Sequence, residues 1–335
     1  MKILAAGLAT RFTDLGRVGH QHIGYTQSGA LDTNSHSFAN AILGVPKTQP
    51  TIEILLGGFK AIATESLVIA ITGAHSNIQI DGKAQPLNQA FVLNKGQTLE
   101  IKQPSTGARN YIASLNPFST KPFLNSVCAV AREKTGGINS DGKSLQPGDV
   151  ISYDSDSYDS DSYGAENLKD IQVAKNSLIE INRFKASLLE TPISDEYIIK
   201  VVLAYQHALF DHKMKARFFH QQFTVSQETS AMGMRLRGDS IGHVSVKLYS
   251  EGIANGAVQI TPEGLPIIML AERQTIGGYP KLGSIISNDL PLLGQCRPGS
   301  IIRFEETDLF TARQLYLLSK SRLDRFSRQQ AKWGA

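Results

Sequence analysis

The chain has 335 residues, of which 41% are hydrophobic and 19% are charged, so it is long enough for one to three domains with a substantial core. Its formal net charge of +4 is small for this length and argues against a dedicated nucleic-acid-binding protein, which would carry a concentrated basic face. No stretch approaches the roughly 20 apolar residues that span a bilayer, which argues against a membrane protein.

The cysteines and the N-terminus indicate the compartment. Cys128 and Cys296 lie far apart and neither belongs to a CxxC pair, which is typical of buried thiols in a reducing environment. The apolar start of the chain is short and is followed directly by Arg11 and Asp14, so it predicts a first β-strand rather than an export signal. We therefore expect a cytoplasmic protein.

Residues 7–32 are predicted to form an irregular segment, because they contain closely spaced glycines at positions 16, 19, 24 and 29. Long glycine-bearing loops on a rigid scaffold often carry binding groups. His20 and His22 lie on the same side of an extended chain, but no third ligand follows nearby, so we expect no metal site.

Residues 34–43 place apolar side chains at helical spacing, and Gly44 and Pro46 follow them, which predicts a helix that ends there. Asp32 or Thr33 would cap its start. Asp32 therefore has a structural role available as well as a functional one, and the sequence leaves both open.

The next stretch predicts short β-strands with almost no helix. Glycine turns separate the strands, and Asp81 with Gly82 predicts a tight hairpin. This pattern is typical of an antiparallel barrel or sandwich. The predicted strands are residues 51–56, 59–63, 67–72, 76–80, 90–93, 98–102 and 110–115.

Residues 137–144 fit the phosphate-loop pattern GxxxxGK[ST]. That loop cradles phosphates only where a buried strand enters it and a helix leaves it. Charged residues precede the pattern here, and Pro147 and Gly148 follow it, so a structural glycine turn is the favoured interpretation.

Residues 153–163 contain Asp-Ser-Asp-Ser-Tyr twice, a composition that cannot bury apolar surface and therefore predicts a solvated linker. An amphipathic basic helix is predicted at the C-terminus. The predicted domains are a first β domain over 1–150 with the glycine-rich loop, a linker over 151–177, a second β domain over 178–306 and the C-terminal helix over 307–335.

The second half predicts further strands at 197–203, 222–225 and 244–248, and a helical turn at 206–210. Lys213-Met-Lys-Ala is similar to a biotinylation site, whose lysine lies between two methionines in a hairpin. Lys213 and Lys215 instead flank a single methionine. If biotin is used, we expect it on another chain.

Residues 274–280 have the sequence Gln-Thr-Ile-Gly-Gly-Tyr-Pro and lie between an apolar run and a strand-like run. Adjacent glycines with an aromatic residue and a proline predict a sharp turn whose backbone another group can approach closely. A plain β-turn is the structural alternative. The polar side chains at 251, 259 and 272–274 lie among short strands, where they need hydrogen-bond partners or a ligand.

These segments resemble a carboxyltransferase-like family that includes a 5-oxoprolinase subunit, the second subunit of allophanate hydrolase and the KipA-type antagonists of a kinase inhibitor. The family pattern is matched by Ser-Glu-Gly at 250–252, Gly-x-x-Gln at 256–259, Gly-x-Pro-Ile at 264–267 and Gln-Thr-x-Gly-Gly-Tyr-Pro at 274–280. The early loop matches at Asp14, Gly16, Arg17, Ser28, Gly29 and Asp32. The resemblance covers roughly residues 3–305.

Thr13 stands where the family has a glutamine, and two further segments depart from the family pattern. Residues 229–231 are Thr-Ser-Ala where the family has Ser-Asp-Arg, and residues 124–129 are Leu-Asn-Ser-Val-Cys-Ala where it has Leu-Gly-Ser-Arg-Ser-Thr. Losing charged groups while keeping glycines and core residues is typical of a scaffold whose fold is kept and whose pocket is altered.

The resemblance implies a mainly β fold, with two cyclophilin-like β-barrel subdomains, few short helices and a C-terminal helix. It implies a subunit of an ATP-dependent 5-oxoprolinase, which hydrolyses a small cyclic amide to glutamate. The expected partners are a KipI or allophanate-hydrolase-subunit-1-type protein, which could bind the ATP, and a lamB-type companion. Two alternatives stay open: biotin-dependent carboxyl transfer to a urea-like amide, and a non-catalytic KipA-type antagonist that binds a kinase inhibitor.

Opening a lactam requires hydrogen-bond donors for the oxyanion and a cation for the substrate carboxylate. The candidate donors are Gln259, Gln274 and the backbone of Gly277 and Gly278, and the candidate cations are Arg17, Arg273 and Lys281. Glu251 and Asp14 are candidates for proton transfer. Ser28, Arg235, Thr275 and Tyr279 complete the predicted substrate-binding residues.

Overall fold

The computed structural model describes residues 1–154, 169, 170, 172, 176, 189–244 and 248–331, and these are mainly β. The chain divides into two compact units. Unit 1 comprises Met1–Gly16, Asp32–Pro192 and Lys320–Ala335, and unit 2 comprises Arg17–Leu31 and Ile193–Ser319. This division differs from the predicted contiguous domains, since most of the early loop belongs to unit 2. The loop does so because its backbone bonds there, as Ser28 N donates to Ala271 O at 2.9 Å.

The described residues of unit 1 form ten strands in two antiparallel sheets that share one apolar core. The strands are β1 (Lys2–Ala6), β2 (Ala9–Thr13), β3 (Thr51–Leu55), β4 (Phe59–Ile62), β5 (Leu67–Gly73), β6 (Ser76–Ile80), β7 (Lys83–Gln85), β8 (Gln89–Leu93), β9 (Thr98–Pro104) and β10 (Arg109–Ser114). One sheet has the order β1-β4-β9-β6-β7 and the other β2-β3-β10-β5-β8. Phe12 and Ile54 of one sheet and Phe59 and Ile101 of the other lie in the shared core.

The predicted first barrel is therefore a two-sheet sandwich. A barrel closes only if its edge strands pair with each other. Strand β8 is an edge, and its backbone amides at Ala90 and Val92 donate to the side chains of Asn176 and Gln172 at 2.9 and 3.0 Å. These amides are satisfied by side chains instead of by another strand.

The seven strands predicted between residues 51 and 115 are confirmed, and so is the hairpin at Asp81 and Gly82, whose φ angles are 48° and 78°. The irregular segment predicted over 7–32 requires a correction. Strand β2 lies within it and pairs with β3 along its whole length, from Ala9 opposite Leu55 to Thr13 opposite Thr51.

Helix α1 (Thr33–Leu43) confirms the predicted helix. The Asp32 carboxylate accepts a hydrogen bond from Ser35 N at 2.9 Å, and Gly44 ends the helix with a φ of 70°. Phe38 of α1 belongs to an apolar cluster that also contains Val68 and Ala70 of β5. The sheet is thus covered on both faces, which accounts for the continuous burial along β5.

The glycine-rich segment 137–144 is a set of tight turns, as the structural interpretation predicted. Gly136, Gly137 and Gly142 all have positive φ, and no helix follows them in the described part of this segment. A Cβ atom at Gly142 would lie 2.4 Å from the Val130 carbonyl oxygen, so the turn requires glycine there.

The first residues of the predicted linker, 151–154, include side chains that pack within unit 1. Ile151 is buried and its N donates to Met1 O at 2.8 Å, and the Tyr153 ring lies 5.4 Å from the Phe118 ring. Residues 155–168, which hold most of the Asp-Ser repeat, and many of the residues up to 188 lie outside the described residues.

Unit 2 contains a closed seven-stranded barrel with the order β11-β18-β15-β16-β13-β12-β19. Its strands, with the two-residue pair β14 and β17, are β11 (Glu196–Leu203), β12 (Gln222–Val225), β13 (Gly233–Arg237), β14 (Glu251–Gly252), β15 (Ala257–Ile260), β16 (Pro266–Met269), β17 (Ile276–Gly277), β18 (Lys281–Ile285) and β19 (Ile301–Thr307). The strands predicted at 197–203 and 222–225 are confirmed. For the strand predicted at 244–248, Val244 and Leu248 lie outside any strand and the three residues between them are outside the described part.

Two helices of unit 2 were not predicted from the sequence, α2 (His212–His220) and α3 (Leu290–Gln295). Helix α2 begins at Asp211, whose carboxylate accepts from Met214 N at 2.8 Å, so a capping signal was present. The predicted turn is a 3-10 turn at Tyr205–Leu209. Helix α2 also places Lys213 and Lys215 outside any hairpin.

Helix α4 (Leu309–Ala331) confirms the predicted C-terminal helix. Within unit 1, its Phe326 is buried with its ring 5.7 Å from the Phe38 ring. Leu309 and Phe310, at the start of the helix, are 75% and 73% exposed. Within the described part of the chain, every helix is too short or too polar to cross a membrane.

Candidate functional site

A pocket of about 430 Å³ lies in unit 2, a volume within the usual range of ligand sites. Strands β13, β15 and β16 of the barrel form its floor, and the predicted bend at 274–280 forms one wall. The pocket is lined by Glu228, Ser230, Met232, Gly233, Arg235, Gln259, Ile267, Met269, Gln274, Gly277, Gly278 and Tyr279.

The four predicted hydrogen-bond donors come together in this pocket. Gln259 lies on β15 opposite Ile267 of β16, and Gln274 precedes β17. A Cβ atom at Gly277 would lie 3.5 Å from Gln259 Nε2 and 3.6 Å from Gln274 Nε2. Both amide nitrogens therefore lie close to the backbone at Gly277, and a Cβ atom there would lie 2.7 Å from Ile253 Cδ1, so a side chain at this position would displace Ile253.

Gln259 carries the clearest chemical signal in the pocket. Its side chain is only 2% exposed, and its Nε2 has no hydrogen-bond partner among the described residues. Leaving a buried amide donor unpaired costs roughly 1–3 kcal/mol, so most such groups in proteins are paired. A donor held in this way in a ligand-sized pocket is suited to a carbonyl or oxyanion that arrives with a ligand.

Arg235 supplies the cation of the pocket. Its Nε lies 3.8 Å from Oε2 of Glu228, and both side chains are more than half exposed. An exposed ion pair of this kind is screened by water and contributes little to stability. The Arg235 guanidinium can therefore exchange this partner for a ligand carboxylate, with which it can form two parallel hydrogen bonds.

Glu251 and Lys281, two predicted site residues, are bonded to each other. Lys281 Nζ and Gln206 Nε2 both donate to Glu251 Oε1, and the Tyr205 hydroxyl donates to Oε2. The donation from Lys281, followed by that from Tyr205, lowers the pKa of Glu251 below its usual value. A carboxylate with both oxygens already occupied is poorly suited to proton transfer, and Lys281 is not left to bind a substrate carboxylate.

Arg17 and Arg273, the other predicted cations, are almost completely buried and do not line the pocket. Arg273 donates to the carbonyl oxygens of Ile253 at 2.8 Å and Leu270 at 3.3 Å. Burial lowers the pKa of Arg273 to about 10. These contacts give Arg273 a structural role in the turn that precedes the bend.

The early loop meets the late segment of unit 2, although not at the pocket. Thr26 Oγ1 donates to Arg273 O at 2.9 Å, and Ser28 N donates to Ala271 O at 2.9 Å. Ser28 is buried and does not line the pocket. The Thr275 carbonyl accepts from Ile253 N at 3.1 Å, so the backbone of Thr275 supports the bend.

Asp14, predicted for proton transfer, belongs to unit 1 and is buried in a hydrogen-bond network. Its carboxylate accepts from Gly16 N at 2.7 Å and from Ser126 Oγ and Val127 N at 2.8 Å each. The Cys128 thiol donates to it at 3.1 Å, and burial raises the pKa of that thiol to about 11. These contacts indicate that Asp14 holds together the turn at 126–128.

Several residues of the pocket had no role predicted from the sequence. Glu228, Ser230, Met232 and Gly233 line it from the segment before and at the start of β13, while Ile267 and Met269 contribute apolar contacts from β16. A signal for the first group existed, because the departure from the family pattern at 229–231 falls among them. Ser230 therefore stands on the pocket wall where the family pattern has an aspartate.

The model of the family described as carboxyltransferase domain, subdomain A and B, matches residues 23–306. The chain belongs to this carboxyltransferase-domain family. Two similar proteins are 5-oxoprolinase subunits, one from Haemophilus influenzae, 28% identical over 94% of each chain, and one from Escherichia coli, 29% identical over 92% of each chain. Urea amidolyase of Lachancea kluyveri is 26% identical over 94% of this chain, which spans only 17% of that protein.

Solved structures support the carboxyltransferase-domain fold. Urea amidolyase of K. lactis superposes with a TM-score of 0.82 at 24% identity, and the match covers 97% of this chain and 20% of that protein. Urea carboxylase of Kluyveromyces lactis gives a TM-score of 0.83 at 23% identity, with 97% of this chain and 29% of that protein covered. At these identities the likeness concerns the fold.

Proposed function

We propose that the chain is a subunit of an ATP-dependent 5-oxoprolinase, which hydrolyses the cyclic amide of 5-oxoproline to glutamate. The observation that carries this proposal is the unpartnered Nε2 of Gln259 among the described residues, buried in a pocket that also contains the Arg235 guanidinium. 5-Oxoproline has one amide carbonyl and one carboxylate, which match these two groups. The two relatives that are 5-oxoprolinase subunits align with this chain over nearly their full length.

The two amides and the bend would act on the carbonyl. Gln259 and Gln274 would donate to the substrate oxygen, and the backbone of Gly277 and Gly278 would contribute donors as negative charge develops there. Removing one such donor typically lowers kcat by about 100-fold to 1,000-fold. Arg235 would bind the carboxylate, and Tyr279 of the pocket lining would pack on the ring.

We propose that ATP binds a partner chain and not this pocket. Arg235 is the only cationic side chain among its described lining residues and Glu228 lies beside it, so a triphosphate would meet an acidic group and a single cation. The described part of the glycine-rich segment 137–144 also lacks the strand and helix of a phosphate loop. We therefore assign ATP to a partner chain, which we propose to be of the KipI or allophanate-hydrolase-subunit-1 type, with a lamB-type companion completing the assembly.

The test is co-purification with these companion subunits, followed by an assay of ATP-dependent glutamate release from 5-oxoproline. Arg235→Gln should raise KM at least about 10-fold, because a charged hydrogen bond to the carboxylate is lost. Arg237→Gln is the matched control, because Arg237 lies two residues along β13 on the same outward face and does not line the pocket. An assembly that forms but gives no turnover, or equal effects of both substitutions, would contradict the proposal.

Carboxyl transfer with biotin is a second candidate, supported by the urea amidolyase relatives. The ureido carbonyl of biotin could accept a hydrogen bond from Gln259 Nε2, so the pocket residues fit biotin. Biotin would serve as the carboxyl carrier when bound. The biotin would have to be attached to another chain. Saturable binding of a biotinylated carrier protein that is lost in Gln259→Leu would favour this candidate over 5-oxoproline hydrolysis.

A non-catalytic KipA-type antagonist is the third candidate, and the pocket wall at Ser230 favours it. Replacing an aspartate and an arginine of the family pattern by Ser230 and Ala231 removes charges that a reaction could use. Stable binding to a KipI-type kinase inhibitor, without turnover of 5-oxoproline in the full assembly, would be the expected result for this function.

A further inference from the structure

Tyr205 and Gln206 form a hydrogen-bonded group with Glu251, which pairs with Gly277 of the pocket bend, and with Lys281, which follows the bend. They begin the 3-10 turn at Tyr205–Leu209, which is attached to β18 because Ala204 N donates to Leu282 O at 3.0 Å. Gln206 Nε2 donates to the Tyr205 hydroxyl at 2.8 Å and to Glu251 Oε1 at 2.9 Å, and the same hydroxyl donates to Glu251.

Gln206 connects β18, which follows the bend, with β14, which pairs with β17 inside the bend. Its Oε1 accepts a hydrogen bond from Lys281 N at 2.8 Å, at the start of β18, while its Nε2 holds Glu251 on β14. The side chain is only 8% exposed, so these bonds are largely protected from water. Lys281 Nζ donates to the same carboxylate and closes the group.

The bend contains β17, which pairs with β14, and it leads directly into β18. Glu251 pairs with Gly277 in the two-stranded ladder of β14 and β17, and Lys281 pairs with Gln259 in the ladder of β15 and β18. The group therefore bonds to the partner strand of Gly277 on one side and to the neighbour of Gln259 on the other. Both Gly277 and Gln259 line the pocket.

We infer that Tyr205, Gln206 and Glu251 are positioning residues that hold the bend at 277–280 and its backbone donors against the Gln259 amide. This inference rests on the proposed function for its effect on turnover, but its effect on the bend is independent of any substrate. Glu251 acts here through its hydrogen bonds to Tyr205, Gln206 and Lys281 and transfers no proton.

Tyr205→Phe is the sharpest test, because the Tyr205 ring is 71% exposed and the substitution removes only the hydroxyl. We expect backbone amide hydrogen exchange in the peptide covering 274–281 to rise about 3-fold, because water replaces part of a hydrogen bond that lies at the surface. Gln206→Leu should give the same change or a larger one. Tyr249→Phe is the matched control, since it removes the same group from a nearby tyrosine that is 95% exposed, and exchange in that peptide should not change.

In the reconstituted assembly, Gln206→Leu should lower kcat about 10-fold and change KM less than about 3-fold, because Arg235 and Gln259 still bind the ground state. If exchange rises but the wild-type assembly shows no turnover, the proposed function fails and the positioning role stands. Unchanged exchange at 274–281 in both variants overturns the inference. So does an equal rise in exchange throughout unit 2, since that would indicate a general loss of stability.

Discussion

Replacing Gln259 by methionine should stabilise the free protein and impair its function. Methionine has a similar volume and would contact Ile267 and Met269, which line the same part of the pocket. The buried Nε2 has no partner among the described residues, and the cost of such a group is roughly 1–3 kcal/mol. We expect the substitution to raise the free energy of unfolding by about 1 kcal/mol, the lower end of this range, because the new apolar side chain would still have polar neighbours in the pocket.

A gain of this size corresponds to a rise of about 2–4 °C in the midpoint of thermal unfolding for a domain of roughly 150–250 residues. Circular dichroism melting of the purified chain measures this rise. In the reconstituted assembly the same variant should lose about 100-fold in kcat, because one donor to the oxyanion is gone.

Gln274→Met provides the control for the stability effect. Gln274 is only half-buried, so its amide reaches water and its removal should change the free energy of unfolding by less than about 0.5 kcal/mol. A Gln259→Met protein that melts lower than wild type would mean that the amide has a partner when folded. Unchanged turnover would show that Gln259 does not act on the substrate.

Three further predictions concern the framework of the fold. Burial lowers the pKa of His36 from 6.5 to about 4, so between these two pH values the unfolded chain binds a proton that the folded chain does not. The free energy of unfolding should therefore fall by roughly 2 kcal/mol between pH 7 and pH 5. Urea unfolding of His36→Gln should show a weaker pH dependence. Asp14→Asn should lower the free energy of unfolding by about 2 kcal/mol, because the amide cannot accept every hydrogen bond that the carboxylate accepts. Turnover per folded molecule should stay unchanged. A loss of turnover without a loss of stability would instead indicate a catalytic role for Asp14. Gly283→Ala should destabilise the barrel by more than about 2 kcal/mol, because its Cβ would lie 2.4 Å from Val201 Cγ1, whereas Gly252→Ala, with open space at that position, should melt like wild type.

Local patterns in the sequence predicted most of the secondary structure. The helix that begins after Asp32 and ends at Gly44 depends on capping within a few residues, and the hairpin at Asp81 depends on two adjacent positions. Helix α3 was missed because its six residues are too few to show a clear apolar period. Strand β2 was missed because its pairing with β3 joins segments about 40 residues apart, and the glycines around it predicted a loop.

The donors of the pocket were also predictable, whereas the sequence named four cations without showing which of them lines the pocket. Gln259, Gln274 and the two glycines of the bend stood out as polar or flexible positions among short apolar strands. Arg17, Arg235, Arg273 and Lys281 are equivalent as sequence letters, and only their surroundings distinguish them. Arg17 and Arg273 are buried and do not line the pocket, and Lys281 is bonded to Glu251. Of the four, only Arg235 lines the cavity.

The sequence by itself determined the β-rich class and the family to which the chain belongs, because these depend on residue type and on spacing along a short segment. The tertiary structure decided which side chains share a cavity and which already have partners. That outcome depends on barrel closure, which makes β13, β15 and β16 neighbours and orients each side chain inward or outward. The buried amide of Gln259, unpaired among the described residues, and the fully bonded carboxylate of Glu251 are properties of that arrangement and of no local pattern.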